Sequence, residues 1–174
     1  MNNNLTIEEN FMEYAINRLE RLKIDAEKAI SQIQDDQALH FVLDEKSNSI
    51  SILIRHLVGN MKSRWTDFFT SDGEKPTRNR PMEFDRNEKN SRLELLQMWD
   101  EGWNVVLSTV KSIQPNQLLD KITIRDQPHT ILEAILRQIS HYSEHVGQIL
   151  FLAKHLEHKD WKWVSIAPDY IYNA

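Results

Sequence analysis

The chain has 174 residues, Lys+Arg 21 against Asp+Glu 26 and a formal net charge of −5, the length of one domain whose core needs no staples. With Cys 0, disulfides, thiolate nucleophiles, iron–sulfur clusters and Cys-type zinc sites are excluded, and the acidic balance disfavours a binder of nucleic-acid phosphates. Gly 4, Pro 5 and 9% aromatics disfavour a turn-rich all-β fold.

Residues 1–10 lack the basic and apolar regions of a signal peptide, and no stretch approaches the ~20 apolar residues of a membrane span, so a cytoplasmic protein is expected. Thr6 followed by Glu8 and Glu9 reads as an N-cap with acid in the first turn. Phe11, Ala15, Leu19, Leu22, Ala26, Ile30 and Ile33 then recur at three- and four-residue steps, which predicts an amphipathic helix fading near Asp35. Ser47-Asn48-Ser49 offers the next cap. Ile50, Leu53, Ile54, Leu57, Val58, Met61, Trp65 and Phe68 predict a second helix to about Phe69.

Residues 70–90 break the pattern, with a turn signal at Ser71-Asp72-Gly73 and punctuation at Pro76 and Pro81. A connection this long in one domain is commonly functional or mobile, and its Lys75, Arg78 and Arg80 either guard a site entrance or belong to a solvated, charge-balanced loop. A third helix is predicted from about Glu88 to Ile113, with Gly102 in its middle admitting close approach by a neighbour. Pro115 stops it. Lys121 to Arg125 alternates as a short extended segment, and a fourth helix is predicted from Thr130 to about His158. The tail from Trp161 to Ala174 is expected along the surface. Four amphipathic helices predict an all-α four-helix bundle with a long loop between helices 2 and 3, a single domain over 1–174.

His141-Tyr-Ser-Glu-His145 places two imidazoles one helical turn apart, where both can face one ion. His56, mid-helix among apolar residues, needs a polar partner. It is either a third ligand supplied by a facing helix or a core histidine bonded to a backbone carbonyl. A three-His face leaves a coordination position open, the arrangement of catalytic metal sites. Glu144 is rotated away from both histidines on the helix and reads as a solvated or dimer-facing carboxylate. Gln148, one turn past His145, is within reach of the site. Arg64, Arg125, His129 and Gln138 are candidates for binding an anionic substrate or orienting the ligands, or else ordinary structural hydrogen-bonders. His155 and His158, among charged neighbours, read as an exposed helix end.

His56 with His141-Tyr-Ser-Glu-His145-Val-Gly147-Gln148 resembles the DinB-like superfamily of metal-binding four-helix bundles. The passages Ser49 to Arg64, Ser63 to Phe68, Asp72 to Pro76, Thr123 to Arg125, Pro128 to Thr130 and Leu152 to Leu156 extend the resemblance, toward a branch of that superfamily with no settled activity. It implies an up-down-down-up bundle and a divalent metal, nickel or zinc, held by His56, His141 and His145. It also implies a homodimer. Relatives include transferases and isomerases that use mycothiol or bacillithiol, so the resemblance implies a low-molecular-weight thiol cosubstrate. A chain without cysteine has no sulfur nucleophile of its own, and an open metal position can deliver a thiolate. The same position could ionise water for a hydrolase. A stress-associated interaction bundle with a structural metal is the third reading. Trp99, Trp103, Trp161 and Trp163 suggest more apolar surface than one small core hides, which favours a twofold dimer. The expected partners are a small molecule and a second copy, with no nucleic acid and no membrane.

Overall fold

A computed structural model describes residues 5–157 and 159–165. The predicted helix end at His158 and most of the predicted surface tail lie outside the described residues. Among those residues the chain is mostly helical, with one two-stranded antiparallel sheet, which places it in the all-α class.

Helix α1 (Ile7–Ile30) starts at Thr6, whose side chain accepts from the Glu9 backbone while the Glu9 carboxylate accepts from the Thr6 backbone, a reciprocal cap of two otherwise orphaned donors. Helix α2 (Ile50–Trp65) starts at Ser49. It ends four residues short of the predicted Phe69. Thr66 is already extended and Asp67 takes a left-handed φ of 48°, so Phe68 packs its ring into the core from a turn. The long connection carries a one-turn helix, α3 (Arg80–Glu83), and α4 (Arg92–Ser112) begins at a Ser91–Glu94 capping box, later than the predicted Glu88. Helix α5 (Ile131–Leu156) repeats that device with Thr130 and Glu133.

The extended segment is one arm of a hairpin. Strand β1 (Lys121–Ile124) pairs antiparallel with β2 (Gln127–Thr130), Thr123 opposite Pro128. Its two turn residues, Arg125 and Asp126, have φ of 54° and 58°, the left-handed pair that a two-residue hairpin turn of the primed kind requires.

Helix α2 packs chiefly on α4 and α1 on α5. Gly102 makes the first pairing close: a Cβ there would lie 3.0 Å from Met61 Sδ and 3.3 Å from Val58 Cγ2. Trp99 and Trp103 are both 0% exposed, their rings 5.6 Å apart and edge to face. They fill the core between the helices and supply none of the surplus apolar surface expected of them. Trp65 Nε1 donates to Tyr142 Oη at 2.9 Å, tying α2 to α5. Almost every residue of α2 is buried, including Arg55, His56, Asn60 and Arg64, because α3 and the long connection cover the face that α4 leaves free. No helix of the described residues is long and apolar enough to cross a membrane.

Candidate functional site

His56 on α2 and His141 and His145 on α5 present their Nε2 atoms to one point. Nε2 of His141 lies 3.3 Å from that of His56 and 3.2 Å from that of His145, and all three ligand atoms fall within 4.8 Å of one another. Two imidazole nitrogens on one tetrahedral zinc are separated by roughly 3.3 Å at ordinary bond lengths. The two separations from His141 therefore match ligands on one ion.

The proton positions also suit coordination. His56 Nδ1 donates to Glu83 Oε2 at 2.9 Å. An ionised carboxylate only accepts, so a hydrogen sits on Nδ1 and Nε2 is the nitrogen turned to the cluster. His145 Nδ1 stands 2.9 Å from Gln148 Oε1 and takes the same tautomer. Burial, with His145 and His56 nearby, pushes the pKa of His141 down to about 3. Burial also lowers that of His145, against the opposing Gln148 bond. Neutral imidazoles are the form that binds a metal.

Glu83 is the residue that sequence reasoning missed. It is 7% exposed and is held by Arg78 through two bonds, Nε to Oε1 at 2.7 Å and Nη2 to Oε2 at 2.9 Å. Burial alone would raise its pKa, but the His56 and Arg78 contacts outweigh that and lower it. Gly59 makes room: a Cβ there would lie 2.2 Å from Glu83 Oε1. A carboxylate–histidine pair of this kind orients a ligand ring and raises its basicity. Gly59, unfavourable inside a helix, marks a close approach to α2 but does not say which residue makes it.

The cluster lies on the wall of a cavity of about 560 Å³. Arg64, Arg125 and Gln138 of the expected residues line it, together with Arg78, Arg80, Phe84, Arg137 and Asn60. Phe84 lies against His56 with ring centroids 4.9 Å apart. His129 is half-buried on β2 opposite Ile122 and does not line this cavity. Glu144 is exposed at the rim, as its helical position implied. Gln138 Oε1 and His141 Nδ1, three residues apart on α5, are both buried without a hydrogen-bond partner, one an acceptor and the other able to donate. A second cavity of about 600 Å³ touches Arg78 and Glu83 but none of the three histidines.

Residues 6–170 match the sequence profile of the family described as Protein of unknown function (DUF1572). The chain belongs to that family. No curated protein and no solved structure matches it. The histidine cluster, Glu83 and all of the cavity wall fall inside the DUF1572 span.

Proposed function

We propose that the protein is a divalent-metal-dependent enzyme on an up-down-down-up four-helix bundle of the DinB-like kind, transferring a low-molecular-weight thiol to or from a small molecule. The observation that carries the reading is the convergence of three histidine nitrogens on the wall of an open cavity. His56, His141 and His145 would hold the ion, nickel or zinc. Bound there, such an ion supplies a Lewis acid that lowers the pKa of a thiol or a water in its open position.

The chain's own residues supply the rest. Glu83 holds the His56 ring with its Nε2 toward the cluster, and Gln148 does so for His145. Phe84 covers one face of His56 and keeps water from it. The chain offers no thiol of its own, so the sulfur must enter with a cosubstrate. The pairing of α2 with α4 and α1 with α5 supports the bundle. Leu136 and Phe151, 51% and 64% exposed on α5, support a homodimer. The net charge of −5 supports a partner other than nucleic acid, and a cytoplasmic location is part of the same reading.

The test is metal analysis of untagged protein, followed by addition of cysteine to the nickel-loaded form. About one ion per chain and a new sulfur-to-metal charge-transfer band are expected. A retained ion that gives no band but supports ester hydrolysis would transfer the reading to a hydrolase. A protein that retains no ion refutes the proposal.

A further inference from the structure

Arginines dominate the cavity beside the histidines: Arg64, Arg78, Arg80, Arg125 and Arg137. Against these five guanidiniums stand four carboxylates, Glu144 on the wall and Glu74, Glu83 and Asp72 behind it, a surplus of one positive charge. The chain as a whole carries −5, so this concentration runs against its composition. A surplus of one sign in a concave, partly dry site focuses potential on its contents.

The individual groups point the same way. Arg64 is 2% exposed, and its Nε and Nη1 are buried with no hydrogen-bond partner. Its nearest carboxylate, Glu74, stands 3.6 Å from Nη2, too far for a good hydrogen bond. A buried guanidinium left this way is costly. Gly73 admits it: a Cβ there would lie 2.7 Å from Nη1. Arg137 is exposed at the cavity wall and pairs with no carboxylate among the described residues.

Arg125 is held at the rim by its hairpin turn. A left-handed φ of 54° is uncommon for arginine, and the Asp72 carboxylate fixes it by accepting from the backbone N–H of Arg125 and of Asp126, each at 2.9 Å. Its Nε donates to Glu74 Oε2 at 3.1 Å, which holds the guanidinium against the same carboxylate that stands nearest Arg64.

The geometry points to an anion-binding site for the cosubstrate or substrate: a small molecule carrying at least two negative charges, as carboxylates or a phosphate, held by Arg64, Arg125 and Arg137 next to the three-histidine cluster. Arginine's planar fork matches both anion types. The site deepens the proposed function, since it would seat the anionic body of a molecule whose reacting end faces the histidines. Anion binding itself needs no metal.

Inorganic phosphate and succinate, titrated calorimetrically into metal-free full-length protein, test it. At least one should bind more tightly than about 10 mM, and Arg137→Gln should weaken that binding about tenfold or more. Arg64→Gln should do the same if it folds. Arg137, exposed and unpaired, keeps the test valid if Arg64→Gln does not fold. Because the titrations use metal-free protein, their outcome is read separately from that of the metal proposal. Phosphate binding alone would assign a phosphate ester, and succinate alone a dicarboxylate. Binding of neither anion, or equal binding by wild type and Arg137→Gln, overturns the inference.

Discussion

Glu83 and His56 are 27 residues apart in the chain and joined by a 2.9 Å hydrogen bond in the interior. That bond decides which way the imidazole points and which nitrogen carries its hydrogen. Removing the charge should therefore loosen the ion without touching a ligand. Glu83→Gln is expected to weaken zinc or nickel affinity about 10- to 100-fold, read by competition with a chelator. It should also lower stability, because Arg78 loses its bidentate partner in a buried site. Unchanged metal affinity would mean that Glu83 serves only Arg78.

Gly59→Ala separates helix propensity from site geometry. In a helix interior the change should stabilise by about 0.8–1.0 kcal/mol. Here the new methyl would meet Glu83 Oε1 at 2.2 Å, and the carboxylate is pinned by Arg78 and cannot swing freely. The expected outcome is a lower Tm together with weakened metal binding. A raised Tm with unchanged metal affinity would show that α3 shifts without consequence for the site.

The histidine cluster is legible in the sequence because its spacing is helical. His141 and His145 are i and i+4 on a long periodic helix, and His56 interrupts an apolar run where a polar ring needs a reason. Glu83 is not legible: it sits on a helix of one turn, too short for any periodicity, and meets His56 only through tertiary packing. The same holds for Arg137, whose neighbours give no sign that its side of α5 faces a cavity. The second hairpin strand is hidden by Pro128, which argues against a strand until the ribbon proves to have two edges. Helix starts are readable at Thr6, Ser49 and Thr130, whereas the Ser91 cap lies three residues beyond the predicted start at Glu88. The end of α2 is not, because the apolar pattern continues into the turn that buries Phe68.

The metal-free protein should lose stability on mild acidification. His141 has an ordinary value of 6.5 when unfolded and about 3 when folded, so between those values the unfolded chain binds the extra proton. Its contribution is fully present above 6.5 and is lost as pH falls toward 3. His145 is shifted the same way. One such group costs at most about 1.4 kcal/mol per pH unit, and less where the cavity admits water. Carboxylates titrate lower, so the fall from pH 6.5 to 5 isolates the histidines. His141→Gln should reduce the slope of urea-unfolding stability across that range, leaving the His145 share, and an unchanged slope would refute the assignment.

Two neighbours on α5 should separate site from scaffold. Tyr142 is fully buried and accepts from Trp65 Nε1, while His145, one residue short of a helical turn further on, faces the cavity. Tyr142→Phe leaves the indole N–H without its partner and should cost about 1–3 kcal/mol, with metal stoichiometry retained because no ligand is lost. His145→Ala should do the reverse. It removes one of three ligands from a half-buried position, so the ion should be lost. The helices should persist, because their stability comes from apolar burial at roughly 25 cal/mol per Å², and none of the core around Trp99 and Trp103 depends on the imidazole. Far-ultraviolet circular dichroism and metal analysis on both variants read the two effects independently. If His145→Ala unfolds completely, the ion clamps α2 to α5 and is structural. If it keeps a full complement of metal, His145 is not a ligand and the three-histidine centre must be abandoned.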